Sequence, residues 1–277
     1  MISMWKFIAF TSAICFVGGI VASAQEQVSA ASYKGKPIIC LTYDDALDSQ
    51  LKNAIPQLDS FGMKGTFFLN SIRGSTDIIG RGSDILLEWK SASAHGHELG
   101  NHTLFHPCPQ KLGWQKDIAI ENYTLDQLLN EVRTTHLYID QIEGKRSKRS
   151  FAYPCNNVVV ANKDYSEHLR KFNFISYARA GGDNNSIITD FNRLDKMKVP
   201  SWHVMEGTTG EELIAFVDKA IKARGLCIFQ FHGIGGALFT VSSEAHLQLL
   251  KYLKDNEDKI IVTTFSQAMK IVKSSVH

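Results

Sequence analysis

The chain has 277 residues, 44% of them hydrophobic and 21% charged, the balance of a globular protein rather than a disordered or fibrous one. Its formal net charge is +2, and no Lys/Arg run is interleaved with aromatics, so nothing points to nucleic acid as a partner. The length allows one or two domains.

The first residues read as a leader. Lys6 precedes the apolar run Phe7 to Val21, and the small residues Ala22-Ser-Ala24 follow it. The run falls short of the roughly 20 residues a spanning helix needs. Cleavage near Ala24 is therefore expected, with a secreted or periplasmic product and residues 25–277 as one domain. No later segment is apolar enough to span a membrane. Cys15 leaves with the leader, and Cys40, Cys108, Cys155 and Cys227 remain in a compartment that permits pairing. None has the C-x-x-C spacing of a structural zinc site.

Pro37 to Tyr43 is a β-branched, apolar run expected as a strand, and it ends abruptly in Asp44 and Asp45. At the carboxyl end of a parallel strand this places charge at the rim where α/β active sites form. An Asp pair can equally cap a following helix. Adjacent side chains on extended backbone point apart, so the two carboxylates are expected to take different roles. Gly65 to Leu69 is the next strand. His102 and His106 follow, four apart, and converge on one metal if the segment is a helix or tight turn. With an upstream Asp they make one carboxylate and two imidazoles, a facial set that leaves positions open.

Pro107 to Asn122 reads as an irregular loop near the site. Thr124-Leu-Asp-Gln127 is a capping box opening a helix with Leu125, Leu128, Leu129, Val132 and Leu137 near a 3.6 period. Ser150 to Asn156 carries Pro154 and Cys155. Phe174 to Tyr177 is a strand followed by Arg179. Glu211 to Ala223 is an amphipathic helix, and Cys227 to Phe231 a strand ending in His232, which by itself suits either a core position or a site. Ser243 to Leu253 is a helix and Ile260 to Thr263 a strand. Thr264-Phe-Ser-Gln267 offers a second capping box before Ala268, Met269, Ile271 and Val272. Cys40 and Cys227, inside strands, are expected as buried free thiols. Strands alternating with helices imply parallel βα units, and closure into a barrel is one solution.

Four segments in this order, Thr42-Tyr-Asp-Asp45, His102-Thr-Leu-Phe-His106, Phe151-Ala-Tyr-Pro154 and Phe229-Gln-Phe-His232, resemble the motifs of the polysaccharide deacetylases, also called NodB-homology or carbohydrate esterase family four proteins. The resemblance spans about Pro37 to Thr263. It implies an α/β distorted (β/α) barrel, usually of seven strands. It also implies Asp44 as base and His232 as general acid. Asp45, His102 and His106 would be ligands of a divalent metal, zinc first, with cobalt, nickel or manganese as alternatives. The Cys155 backbone amide would help form an oxyanion hole. The substrate implied is an acetylated glycan, with N-deacetylation favoured over removal of O-acetyl groups from xylan-like polymers. A carbohydrate-binding relative without turnover is the distant alternative.

Two positions depart from the family pattern. Ala152 stands where an Arg usually orients the catalytic Asp, and Arg179 is expected to supply that cation instead. Gln230 stands where a Leu usually shapes the acetyl pocket. Cys108 and Cys155 adjoin two of the motifs and are expected to form a disulfide. Trp114 and Trp202 offer faces for sugar stacking, or local packing.

Overall fold

In the computed structural model, residues 33, 35–70 and 83–276 are described; the expected leader, residues 1–24, lies outside them. Seven parallel strands form the central sheet: β1 (Ile38–Asp44), β2 (Thr66–Leu69), β3 (Glu98–Asn101), β4 (Arg149–Ala152), β7 (Ile175–Arg179), β8 (Trp202–His203) and β9 (Leu226–Phe231). Their order is β7-β4-β3-β2-β1-β9-β8. The segment leading into β8 bridges back to β7 through Val199 and Arg179, which draws the two ends of the sheet together. An eighth strand, β10 (Ile261–Val262), pairs with the first residues of β1, while β2 pairs with its last. A short antiparallel hairpin, β5 (Val159–Val160) and β6 (Lys163–Asp164), lies apart. This is the expected distorted barrel, with helices α1 (Ile55–Ser60), α2 (Ser83–Ala94), α3 (Leu125–Glu143), α4 (Ser166–Leu169), α5 (Gly210–Ala223), α6 (Ser243–Asp255) and α7 (Phe265–Ser274).

Strand alternation divides the core. On β1, Ile39, Leu41 and Tyr43 join Phe67, Phe229 and Phe231 in an apolar cluster with Leu213 and Phe216 of α5 and with Leu249 and Leu253 of α6. Ile38 and Cys40 face the other way, with Phe68 and Ile228, and pack on Phe265, Met269 and Val272 of α7. Further along that second face come Thr42 and Asp44, both fully buried. One face of a single strand thus passes from apolar to polar toward its carboxyl end, and that end carries the candidate site.

The helix starts test the capping expectations. Thr124 forms its box with Gln127, and Thr209 forms another with Glu212. The second box expected at Thr264 does not form. Instead the Phe265 N–H donates to Thr66 Oγ1 at 2.8 Å and the Ser266 N–H to Glu98 Oε2 at 2.8 Å, so neighbouring strands satisfy the first turn. Leu137, expected on the apolar face of α3, is 62% exposed, and Thr135, His136 and Ile139 take the buried side. Strands β3 and β4 carry Glu98, Asn101, Arg149 and Ser150 and give no apolar run. They are buried because their polar groups find partners inside the protein. Cys40 and Cys227 are buried free thiols, as expected. Among the described residues no helix is long and apolar enough to cross a membrane.

Candidate active site

The carboxyl ends of the strands bring the candidate residues together. After Asp44 the chain turns sharply, with positive φ at Asp45 (78°) and Ala46 (53°). This turn, rather than extended alternation, sends the two carboxylates apart. Asp45 Oδ1 lies 3.6 Å from His102 Nε2 and 3.3 Å from His106 Nε2, and the two Nε2 atoms are 3.1 Å apart. Asn70, the first residue after β2, donates to Asp45 Oδ1 at 3.0 Å.

The two histidines reach each other through a tight turn, not a helix. Thr103 (φ 62°) and His106 (φ 50°) are left-handed, and Asn101 Oδ1 accepts from the Thr103 N–H at 3.0 Å. Glu131 of α3 braces the turn by accepting the Phe105 N–H at 3.0 Å. Burial raises the pKa of that carboxyl, against hydrogen bonds from Phe105, Tyr123, Leu104 and Thr103 that lower it. His102 Nδ1 is 2.9 Å from the Ala152 carbonyl. A carbonyl can only accept, so Nδ1 carries the proton and the Nε2 lone pair faces Asp45. Burial holds the His102 pKa down to about 4.

Asp44 Oδ2 lies 3.9 Å from His102 Nε2, but its carboxylate is held by a different set of groups. Arg179 Nη2 donates to both its carboxylate oxygens, at 2.7 and 2.5 Å, and Gln230 Nε2 donates to Oδ2 at 3.1 Å. Arg179 Nη1 reaches Ser201 Oγ at 3.1 Å, and its guanidinium lies over the Phe68 ring at 5.1 Å. Burial alone would raise the Asp44 pKa; the Arg179 charge and hydrogen bond, with His102 and His232 nearby, prevail and hold it to about 2. Ala152 and Arg179 are register partners on β4 and β7. The cation missing at Ala152 therefore enters from the adjacent strand, over a side chain small enough to leave room.

His232 Nε2 stands 3.9 Å from Asp45 Oδ2, and its ring packs against His203 and Phe239. Cys108 and Cys155 are joined as a disulfide, Cα atoms 5.7 Å apart, tying the loop after His106 to the loop after β4. Cys155 (φ 50°) and Asn156 (φ 56°) turn that second loop at the rim. Residues 107–122 form an irregular loop with three short 3-10 turns. From it Trp114 approaches the His106 ring at 5.9 Å. Trp202 is not a stacking face: it is buried against Phe216 and Phe229.

The sequence matches the family model described as polysaccharide deacetylase over residues 31–174, just over half its length. The chain belongs to the polysaccharide deacetylase family. Solved structures extend the likeness to the whole fold. The Xyl-CE4 domain of a multidomain xylanase from the hindgut metagenome of Trinervitermes trinervoides is 20% identical with a TM-score of 0.54, covering 87% of this chain and 93% of that one. PdaA of Bacillus subtilis, a family 4 carbohydrate esterase, is 16% identical with a TM-score of 0.52, covering 85% and 81%. A family 4 acetyl xylan esterase from Clostridium thermocellum, solved with cobalt, is 18% identical with a TM-score of 0.52, covering 87% and 93%. At these identities the likeness concerns the fold. No curated protein sequence matches. Arg179, Gln230 and His232 of this family member lie beyond the matched segment, so their places at the site come from geometry.

Sequence reading missed Asn70, Glu131 and Ser201, and read Gln230 only as a departure from the Leu of the acetyl pocket, not as a partner of Asp44. Asn70 could have been found, since it follows a strand directly, as Asp45 and His232 do. Glu131 gives no such signal; it is one acidic residue among several on an amphipathic helix.

Proposed function

We propose that this chain is a metal-dependent hydrolase that removes acetyl groups from a polysaccharide, with N-acetyl groups of GlcNAc-type glycans as the favoured substrate. The observation that carries the reading is one carboxylate and two imidazoles converging beside a second, separately anchored carboxylate. Zinc ligands about 2.0–2.2 Å from the ion stand about 3.0–3.6 Å from one another. The separations among Asp45, His102 and His106 are 3.1, 3.3 and 3.6 Å, so the three fit such an ion. Zinc is the first choice, with cobalt, nickel or manganese as alternatives. A divalent ion there supplies Lewis acidity to an acyl oxygen and acidifies water.

The chain's own groups supply the rest. Asp44, ionised across the working pH range, takes a proton from the water that attacks the acetyl carbon. Arg179 and Gln230 fix its two oxygens, so little is lost to reorientation. The Cys155 backbone N–H donates to the developing oxyanion, a contact typically worth roughly 3 kcal/mol. His232 gives a proton to the leaving nitrogen as the carbon–nitrogen bond breaks, and acetate departs. Residues 1–24 direct export, and the Cys108–Cys155 disulfide suits the oxidising compartment this implies.

The same groups can open an acetyl ester, and the fold likeness to an acetyl xylan esterase keeps O-acetyl xylan as the second reading. Acetate release across acetylated chitooligosaccharides, peptidoglycan fragments and acetylxylan separates the two. Release should stop with a chelator, return with zinc or cobalt, and vanish in Asp44→Asn. Turnover indifferent to chelation would sink the metal; no release from any member would leave a carbohydrate-binding relative.

A further inference from the structure

At the opposite end of the barrel from Asp44, the amino ends of β3, β4 and β7 and the outer side of α7 enclose a groove of about 970 Å³. Its lining includes Lys148, Lys171, Lys196, Lys270 and Lys273. All but Lys196 are exposed, and Lys196 is half-buried. None of the five makes an ion pair within 4 Å of a described acidic residue. Arg146 and Arg170 add to the wall but have partners, Glu143 at 3.0 Å and Asp195 at 2.9 Å. The acidic residue in the lining, Glu98, is buried, accepts from Thr66, Ser150 and the Ser266 N–H, and comes within 4 Å of none of the five lysine ammonium groups.

Five uncompensated cations in one groove are not a sample of an evenly charged surface, because the whole chain carries a formal charge of only +2. The charges come from four separate stretches of sequence, of which one, Lys145-Arg-Ser-Lys-Arg149, is itself a short basic run. They converge on a concavity, where field lines from one sign of charge are focused. A concave groove is a poor match to a flat bilayer.

We propose that this groove binds a linear anionic glycan through its sulfate, phosphate or carboxylate groups. It does so at a site separate from the acetyl-processing rim. A strand of four or five residues spans roughly 13–17 Å, so a chain held at the amino ends does not lie on Asp44. The groove therefore retains the protein on an anionic polymer while the other rim acts on its acetylated chains. The choice of a glycan rests on family membership; the binding itself does not depend on the catalytic reading.

The test uses the full exported chain and heparin as probe, with polygalacturonate as the carboxylate counterpart. Lys148, Lys171, Lys270 and Lys273 are changed together to Glu in one variant and to Arg in another, with thermal melting to confirm folding. Wild type and the Arg variant should bind heparin alike. The Glu variant should bind at least about tenfold more weakly, and its slope of log affinity against log salt should fall by about three. Acetate release from a neutral acetylated oligosaccharide should be the same in all three, which separates failure here from failure of the catalytic reading. Heparin affinity equal in wild type and a folded Glu variant overturns the site. Tighter binding to a single-stranded oligonucleotide, or to anionic phospholipid vesicles, than to either glycan overturns the ligand class.

Discussion

Arg179 and Asp44, 135 residues apart in sequence, meet with both side chains buried and one guanidinium nitrogen donating to both carboxylate oxygens. Removing the cation leaves a buried charge without its partner, a loss of about 3–5 kcal/mol in stability. Arg179→Ala should also raise the Asp44 pKa from about 2, because burial is then opposed only by the weaker effects of His102 and His232. A base with a higher pKa is protonated at higher pH, so the acid limb of kcat/KM should move upward. Misplacement by about 1 Å costs on the order of a hundredfold in kcat. A pH–rate profile and turnover unchanged in Arg179→Ala would refute this positioning role.

Gln230 supplies the remaining donor to Asp44 Oδ2. Gln230→Leu restores the family's usual residue but removes a hydrogen bond to a charged group, worth about 1.5–3 kcal/mol. The variant should lose roughly tenfold in kcat with KM little changed. A KM effect alone, with kcat intact, would give Gln230 the role of pocket wall.

The triad predicts metal stoichiometry. His102→Ala and Asp45→Asn should each purify with far less than one divalent ion per chain by elemental analysis, and acetate release should fall by at least about a hundredfold. Asn70→Ala, which removes the donor to Asp45, should weaken metal affinity by about 10- to 100-fold while leaving the site competent at saturating metal. Full metal occupancy in His102→Ala would contradict the assignment.

The Cys108–Cys155 bond closes a loop of 47 residues. Chain-entropy bookkeeping puts its stabilisation at about 4 kcal/mol. Because it ties the His106 loop to the Cys155 loop, a Cys108→Ser, Cys155→Ser variant should lose metal affinity as well as melting temperature. Calorimetry and metal titration together check this; a stability loss with metal affinity unaltered would make the bond purely structural.

Acid should destabilise the metal-free protein well above the carboxylate range. His97 and His246 are buried as neutral rings, their pKa values lowered from 6.5 to about 4 and about 3, burial being the main cause. The His246 ring sits between Tyr43 Oη at 2.7 Å and Gln57 Oε1 at 2.5 Å, a pairing that suits one protonated and one bare nitrogen. Since the unfolded chain takes up protons first as pH falls, stability is full above about pH 6.5. It declines between there and about pH 3–4, by roughly 3–5 kcal/mol per ring. Urea midpoints of chelator-treated protein at pH 7.5, 5.5 and 4.5 should fall in that order.

The sequence by itself determined the parts that obey local rules. The run from Pro37 to Tyr43 ends in two carboxylates because a strand's carboxyl end at a barrel rim is where charge can be held. His102 and His106 fall within one short turn, so their proximity needed no long-range contact. The capping box at Thr124 is likewise a matter of three residues. The tertiary structure alone decided what depends on strand order. Arg179 could be offered from the sequence by its place after a strand, but its contact with Asp44 exists because β7 lies beside β4, which sets it in register with Ala152. Strands β3 and β4 hold Glu98 and Arg149 in the interior because partners from other elements offset their desolvation. Thr264 lost its expected cap for the same reason, since Thr66 and Glu98, far away in sequence, had already taken the amides of that first turn.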